Sequence, residues 1–473
     1  MQASSSFPES SPPLPAASPP PSTGLLEHLC IEVLQEIGNL LSNGDQMNLR
    51  AVCRELGVAI DPLFYTFFVL RGDRIRRESG LHMLEKMAAG QLGWCRHAKT
   101  IHITPGSKPE AGEDVGPKWY PSDPALPNLL VSALASMHHI QTVVWNANSK
   151  DPDWVKEAIR DSLNTFPLLS DLQLKAQGTV NLGLTPIPTL TKLWVEAQDH
   201  WPQIQIVQDI CQVVGRSHNL TSLHISVNAN AGSDWSRIWT MLRTTLLRPN
   251  PSAHIHLKDL TTNSITTDLL TYLRSYSGTL ETVSLERSHG SASPKPDPLA
   301  STFFETVLPA HAKTLVELSC PACHDGRWSF GVHNVDAILP LRQLETLDMT
   351  VNAGDVIDID PPLNAVSLLL STAALLPALR LLKIAPASYH RDIDSAIKSA
   401  LENYTTHTNS PLLVCVASSS YMYHAQGGRE HGHDWYALAP ALSDEGEHST
   451  LLVYKALDPE AAAVKRIRAW YDK

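Results

Sequence analysis

Apolar residues recur along most of the chain in one short pattern, hydrophobic-x-x-hydrophobic-x-hydrophobic. Clear copies begin at Ile140, Leu169, Leu190, Leu220, Leu280, Leu315, Leu344 and Leu379, and weaker copies lie at Ala98, Ile255 and Val414. Alternate side chains of a strand face the same side, so the last two apolar positions of each copy predict a buried strand. One strand recurring at a period of about 30 residues is typical of a solenoid.

Helical periodicity predicts a helix between most of these strands. The predicted helices are Trp154 to Leu163, Ile204 to Val214, Trp235 to Leu247, Thr267 to Tyr276, Thr302 to Leu308 and Val366 to Leu375. Strands that alternate with helices predict an α/β fold with a parallel sheet backed by outer helices. The pattern resembles a degenerate leucine-rich-repeat array of the long, helix-containing type. We therefore expect a curved, irregular solenoid over residues 94–400.

A different pattern occupies residues 24–70. Ser42-Asn43-Gly44 predicts the end of a first helix, with Gly44 as a left-handed C-cap. Asp45 is the predicted cap of a second helix, and Asp61-Pro62 predicts a further helix boundary. The apolar positions of the first helix are spaced by three and four: Leu29, Val33, Leu34, Ile37, Leu40 and Leu41. Those of the second helix are Leu49, Val52, Cys53 and Leu56.

The order of these residues resembles the F-box. The matching positions are Leu29, Glu32, Val33, Leu34, Ile37, Asp45, Leu49, Val52, Cys53, Arg54, Pro62, Leu63 and Tyr65. Cys30 stands where the family has a proline. The resemblance implies a three-helix module that binds the adaptor subunit of an SCF-type ubiquitin ligase, while the repeats hold a client protein. The implied contact residues are Leu29, Cys30, Leu34, Ile37, Leu49, Val52 and Cys53.

These patterns divide the chain into five parts. Residues 1–23 are rich in Ser, Pro and Ala and predict a disordered leader. The F-box-like module at 24–70 and a helical connector at 71–93 precede the solenoid. Residues 401–473 predict two strands, PLLVCVASSS and STLLVYKAL, around a His- and Gly-rich loop. A helix that starts at Asp458-Pro459 follows them, and these C-terminal elements are expected to cap the solenoid.

Composition narrows the function classes. Lys plus Arg number 37 and Asp plus Glu 48, for a net charge of −11, which argues against nucleic-acid binding. Seven scattered cysteines predict no disulfide framework and favour a reducing compartment. The chain shows no signal-peptide pattern and no membrane-spanning run. We expect a protein of the cytoplasm, the nucleus or both.

Few residues point to chemistry. Cys320-Pro321-Ala322-Cys323-His324 matches the haem-attachment spacing, but Cys320 is already the third apolar position of a repeat. His424, His431 and His433 with Asp434 lie in a predicted surface loop, and their spacing fits no zinc framework. Lys465, Arg466 and Arg468 predict a solvated helix face. The sequence implies no catalytic residue, metal or cofactor. Two alternatives stay open: a repeat scaffold without a ligase, and a hydrolase site assembled only in the fold.

Overall fold

The structure is a computed structural model. It describes residues 29–75, 78–104, 125–197, 204–227, 235–286, 297–359, 363–388, 390, 392–406, 412–418, 433–440 and 452–457. The chain divides into two compact units, Met1–Thr66 and Phe67–Lys473. We call them the helical unit and the repeat unit. The predicted leader, the tips of the C-terminal loops and the predicted C-terminal helix lie outside the described residues.

The described part of the helical unit folds into three short helices. They are α1 (Ile31–Asn39), α2 (Asn43–Arg50) and α3 (Arg54–Phe64). Leu34, Leu56 and Ala59 form a small buried core between them. Gly38 allows α1 to approach α3 closely, because a Cβ at this position would lie 2.7 Å from a methyl group of Ile60.

The helix boundaries differ from the prediction at three places. The predicted second helix is interrupted after Arg50, so Val52 and Cys53 lie between α2 and α3, and Leu56 lies on α3. Ser42 caps α2, since its Oγ accepts a hydrogen bond of 3.3 Å from the backbone N–H of Asp45. The predicted caps were therefore wrong, because Asp45 lies in the first turn and Gly44 lies inside α2. Pro62 lies inside α3 instead of at its boundary.

The repeat unit contains one 15-stranded sheet. Its strands are β1 (Phe67–Arg71), β2 (Thr100–Thr104), β3 (Thr142–Asn148), β4 (Asp171–Gln177), β5 (Lys192–Ala197), β6 (Ser222–Val227), β7 (Asp259–Thr262), β8 (Thr282–Leu285), β9 (Glu317–Cys320), β10 (Thr346–Val351), β11 (Leu381–Pro386), β12 (Thr405–Thr406), β13 (Leu413–Ala417), β14 (His433–Pro440) and β15 (Leu452–Ala456). Strands β1 to β11 follow chain order and pair in parallel, and β13 joins β11 in the same sense. Strands β14, β15 and β12 continue the sheet in antiparallel pairs.

Helices connect most of the strands. They are α4 (Gly72–Ile75), α5 (Glu78–Ala88), α6 (Gly93–His97), α7 (Leu126–Ala135), α8 (Asp153–Leu163), α9 (Ile204–Arg216), α10 (Ser236–Leu246), α11 (Thr267–Arg274), α12 (Pro298–Thr302), α13 (Leu308–His311), α14 (Val335–Ile338), α15 (Gly354–Ile357), α16 (Ala365–Ala374) and α17 (Ile393–Asn403). A π-helical turn, Phe303–Val307, joins α12 to α13, and a short 3-10 turn covers Pro251–Ala253. Among the described helices, none combines the length and the apolar character needed to cross a membrane.

One continuous hydrophobic core lies between the helices and one face of the sheet. The inward residues of neighbouring strands stand in register, as Leu318, Leu347 and Leu382 do on β9, β10 and β11. All three are fully buried. The prediction of an α/β fold with a parallel sheet and helices is therefore confirmed.

The sheet extends beyond the predicted solenoid at both ends. Its first strand, β1, starts at Phe67 and pairs with β2, although the prediction placed this segment in the F-box-like module. The predicted connector also belongs to the repeat unit, because Leu84 and Met87 of α5 are part of the main core. At the other end, β14 forms within the predicted His-rich loop. Only its first two residues are polar, and Trp435 and Tyr436 are buried on opposite faces of the sheet.

One repeat lies a few residues later than predicted. The weak copy at Ile255 is not a strand, and β7 begins at Asp259. Its register places Leu257 and Leu260 at the first two apolar positions and Thr262 at the third. Thr262 is fully buried, and its Oγ accepts a hydrogen bond of 3.0 Å from the N–H of Ser264. At this position a buried hydroxyl group with a local hydrogen-bond partner replaces an apolar side chain. A search for apolar residues alone therefore does not find this copy of the repeat at its true position.

Candidate interaction surfaces

The helical unit exposes several apolar side chains. Val52 lies in the turn before α3 and is 69% exposed. Ile37 on α1 is also exposed, and Cys30 is exposed immediately before α1. These three predicted contact residues are accessible in the structure. Exposed apolar groups on so small a unit favour contact with another protein.

The other predicted contact residues lie deeper. Leu34 is 6% exposed and belongs to the small core of the helical unit. It packs between α1 and α3 and also lines the groove between their first turns, so it stays a predicted contact residue that presents only a small part of its side chain. Leu29, Leu49 and Cys53 are half-buried and pack against the same core. They can present part of their surface while they support the helices.

A groove runs between the start of α1 and the start of α3. Its volume is ≈ 410 Å³, and its walls include Leu29, Ile31, Cys53 and Val58. Arg54 and Glu55 supply polar groups at the same groove. An apolar groove with a polar rim is suited to an apolar side chain from a partner protein.

Arg50 holds the end of α2 against the end of α3. Its Nε lies 2.5 Å from Oδ1 of Asp61, and its terminal nitrogen donates to the hydroxyl of Tyr65 at 2.9 Å. The guanidinium also stacks over the Phe64 ring, 4.4 Å from its centroid. These contacts set the position of the loop that carries Val52.

Several exposed apolar residues of the helical unit are not among the predicted contact residues. They are Ile31, Val33, Leu40, Met47 and Val58. The spacing of Val33 and Leu40 placed them on the apolar face of the first helix, without deciding whether they are buried. Three short helices enclose too little interior to bury every apolar side chain. The large number of apolar residues in this segment was therefore the sequence signal that some of them stay exposed.

The repeat unit has a second candidate surface, the face of the sheet opposite the main core. We call it the open face. Its central row, in register from β1 to β14, is Val69, His102, Val144, Gln173, Trp194, His224, Thr261, Ser284, Ser319, Asp348, Lys383, Cys415 and Trp435. Along the sheet the row starts with apolar and aromatic side chains, becomes polar and then acidic in the middle, and ends with Lys383, Cys415 and Trp435.

Aromatic side chains mark the N-terminal part of the open face. Trp194 and His224 are register neighbours on β5 and β6, and their rings stack with centroids 3.7 Å apart. Lys175 and Glu196 form an ion pair of 3.0 Å on the neighbouring row. Burial lowers the pKa of His224 to about 4, with Glu196 opposing and Lys175 reinforcing the shift. A neutral imidazole on a half-exposed tryptophan is a flat aromatic platform.

Carboxylates mark the middle of the open face. Burial is the main cause of the raised pKa of Glu317 on β9, and the carboxylates of Asp348 and Asp259 add to it. Burial also raises the pKa of Asp259. Ser319 donates a hydrogen bond of 2.9 Å to Asp348. This arrangement favours a partner that brings positive charge to the strands β7 to β10.

Among the described residues, those considered for metal or haem chemistry are not brought together into one site. Cys320 is fully buried on β9, and burial raises the pKa of its thiol. Asp434 forms an ion pair of 2.6 Å with Lys398 of α17. His424, His431 and the basic residues Lys465, Arg466 and Arg468 lie outside the described residues. Within the described ranges, no group of three or more His, Cys, Asp or Glu side chains is placed to hold a metal ion.

Comparison with known proteins adds little. No protein-family model and no curated protein matches the chain. Among solved structures, a crystal structure of a Bacteroides fragilis protein aligns with 68% of this chain and 68% of its own, at 15% identity and a TM-score of 0.30. At this score the likeness carries no inference about fold or function.

Proposed function

We propose that this protein is the substrate-recognition subunit of an SCF-type ubiquitin ligase. The helical unit would be an F-box-like module that binds the adaptor subunit, and the open face of the repeat unit would hold a client protein. The chain would have no catalytic residue or cofactor of its own. It would act by raising the effective concentration of the client near the ubiquitin-charged enzyme.

The main support is the ordered set of F-box-like residues, which falls on three short helices that expose apolar side chains. Val52, Ile37 and Cys30 are accessible, while Leu29, Leu49 and Cys53 are partly so. Burying such side chains against a partner contributes about 25 cal/mol for each Å² of apolar surface. The helical unit therefore offers a chemically suitable surface for an adaptor.

The open face supports the client half of the proposal. It combines the Trp194 and His224 platform with the carboxylates of Asp259, Glu317 and Asp348. Aromatic anchors contribute strongly to protein–protein contacts, while charges set specificity and association rate. A client segment with basic and apolar side chains fits this face best.

The cysteines are consistent with an intracellular ligase. All seven lie in the described ranges, and none of them forms a disulfide. A chain that keeps its thiols reduced is suited to a reducing compartment. We therefore keep the cytoplasm, the nucleus or both as the proposed location.

Binding of the full chain to a purified SCF adaptor subunit tests the proposal. Val52→Asp and Ile37→Asp should each weaken adaptor binding by tenfold or more, because each would bury a charge without a partner in the complex. A tenfold loss of affinity corresponds to about 1.4 kcal/mol of binding free energy. Both side chains are already exposed, so the isolated chain should keep its fold. Circular dichroism checks this for each variant.

Leu247→Asp is the matched control. Leu247 is an exposed apolar residue at the end of α10 in the repeat unit, so the same chemical change occurs away from the helical unit. Adaptor affinity should not change in this variant. If the wild-type chain is folded but does not bind the adaptor, the ligase proposal fails. The protein is then better described as a repeat scaffold, to which the departure at Cys30 already points.

A further inference from the structure

The middle of the open face has a floor of short side chains. Thr261 on β7, Ser284 on β8 and Ser319 on β9 lie side by side in the central row. Larger side chains flank them in the same row, His224 on β6 and Asp348 on β10. Three consecutive short residues leave room above the sheet between these larger neighbours. We call this region, from His224 to Asp348, the trough.

An aromatic pair borders the trough on the side of β5 and β6. The rings of Trp194 and His224 are nearly parallel, with 16° between their planes and 3.7 Å between their centroids. His224 therefore covers one face of the indole, yet Trp194 stays 38% exposed. A ring that its neighbour already holds in place loses little freedom when a partner covers it. Trp194 is suited to contact an apolar side chain of a bound protein.

Three carboxylates surround the floor near β8. The side chain of Asp259 on β7 is hydrogen-bonded to that of Thr282 on β8. Asp348 on β10 accepts a hydrogen bond of 2.9 Å from the hydroxyl of Ser319 on β9. Asp259 and Asp348 therefore lean inwards from the two sides of the trough. Glu317 on β9 lies between them as the register neighbour of Thr282.

The charges around these carboxylates leave an excess of negative charge. The side chains that act on Asp259 and Glu317, together with these two, are Asp259, Glu281, Glu317, Asp348, Lys192, Lys258 and Lys383. Four carboxylates and three lysines give a net charge of −1. Lys258 is paired with Glu281 at 3.0 Å, just before β7 and β8 begin. A partner that brings a basic side chain to the trough is therefore favoured.

Arginine suits this arrangement better than lysine. Its guanidinium presents several N–H donors in a flat fork, whereas the lysine ammonium is a compact point charge. The carboxylates of Asp259, Glu317 and Asp348 belong to three different strands. A flat fork can donate to more than one of them at once, and such charge-assisted hydrogen bonds are the strong ones.

The distance between the tryptophan and the carboxylates sets the spacing that a partner needs. Trp194 on β5 and Ser284 on β8 lie three strands apart in the central row. At about 4.8 Å per strand this distance is about 14 Å. An extended chain advances about 3.4 Å per residue, so about four residues cover it. Side chains four residues apart in an extended chain point the same way, so both can face the sheet.

The floor of the trough can also serve the backbone of such a segment. An extended chain carries N–H and C=O groups that need hydrogen-bond partners when they are covered. Thr261 and Ser284 are partly exposed, and each hydroxyl can both donate and accept. A polar floor between the two contact points therefore favours an extended segment.

We propose that the open face binds an extended client segment that crosses β5 to β9 and carries an apolar residue and an arginine four positions apart. The apolar side chain packs against Trp194. The arginine lies over β8 among Asp259, Glu317 and Asp348. The segment can run in either chain direction, because the spacing is the same in both. This inference rests on the client role proposed for the open face and specifies the residues that a client carries.

Selection from a peptide library tests the spacing. Short random peptides displayed on phage are selected on the immobilised full chain. The enriched peptides should pair an aromatic residue or a leucine with an arginine four positions away. Fluorescence polarisation then measures the affinity of the best peptide in synthetic form. Insertion of one glycine between its two contact residues should weaken binding at least tenfold, because one of them then points away from the sheet.

Variants of the chain test the two contact points. Trp194→Ala, Glu317→Gln and Asp348→Asn should each weaken the best peptide at least tenfold. Replacing the arginine of the peptide by alanine should cost less affinity in Glu317→Gln than in the wild-type chain, because the two changes remove the same contact. Glu305→Gln is the matched control, since Glu305 is an exposed carboxylate in the π-helical turn. Its affinity should not change, and circular dichroism checks the fold of every variant.

Other outcomes overturn the proposal. If no peptide is enriched, the open face binds no segment of this kind. If acidic peptides are enriched, the charge argument is wrong, and if the glycine insertion has no effect, the spacing is wrong. If the peptide binds all variants equally, it binds elsewhere. Adaptor binding plays no part in these measurements, so the spacing can fail while the adaptor still binds, and the ligase proposal can fail while the peptide still binds.

Discussion

Leu347→Ala tests the continuous core at its most regular point. Leu347 is 0% exposed on β10 and stands in register between Leu318 of β9 and Leu382 of β11. The substitution removes three carbon atoms, which is about 2.4 kcal/mol of transfer free energy at about 0.8 kcal/mol each. The cavity that remains adds to this, so we expect a total loss of about 3–4 kcal/mol of folding stability.

Native-state hydrogen exchange and denaturant unfolding together measure this loss. Each tenfold change in an opening equilibrium corresponds to about 1.4 kcal/mol, so amides of β9 to β11 should exchange on the order of a hundredfold faster. In a solenoid each repeat contacts only its neighbours. The amides of β2 to β4 should therefore change much less than those next to Leu347.

Leu375→Ala is the matched control for the same residue type. Leu375 follows α16 and is 60% exposed, so its truncation should change stability by no more than about 0.5 kcal/mol. Equal losses for Leu347→Ala and Leu375→Ala would refute the core position of Leu347. A uniform increase in exchange over all strands would refute the nearest-neighbour behaviour of the repeats.

Two further predictions concern Cys30 and His224. Cys30 lies immediately before α1 with a φ of −68°, a value that proline adopts. Cys30→Pro should therefore raise the free energy of unfolding by about 0.4–1 kcal/mol, as measured by thermal unfolding. The same variant should bind the adaptor as tightly as the wild-type chain or more tightly. His224 has a folded-state pKa of about 4, below its usual value of about 6.5, because burial disfavours the charged ring. The unfolded chain therefore binds the proton more readily, and stability should fall as the pH drops from about 6.5 towards 4. The variant His224→Phe should lose less stability over this range; an equal loss, or an imidazole that titrates near 6.5 by NMR, would contradict the assignment.

Much of the repeat unit could be predicted from the chain because its pattern is local. Leu344-x-x-Leu347-x-Met349 and Leu220-x-x-Leu223-x-Ile225 both become buried strand segments, as the alternation of apolar residues requires. The pattern failed where a polar residue replaced an apolar one. Thr262 occupies the third buried position of β7, and its hydroxyl group has a hydrogen-bond partner. A pattern defined by apolar residue types cannot include a threonine.

The contact surface of the helical unit was harder to predict. Leu34 and Ile37 carry the same kind of side chain and lie three residues apart on α1. The structure buries Leu34 against Leu56 and leaves Ile37 exposed. Periodicity identifies the apolar stripe of a helix, but the small core accepts only part of it. Which part is buried depends on where α3 crosses α1, and Gly38 permits that close approach.

The amino-acid sequence by itself determined the alternation of strands and helices, the order of the repeats and the apolar character of the first helices. These features depend on neighbours a few residues apart. The tertiary structure alone decided how the C-terminal strands join the sheet, and that Leu381, Cys415 and Trp435 form a second cluster on the open face. Residues 54 positions apart meet there because β11, β13 and β14 lie side by side, and such distant contacts leave no trace in the local pattern.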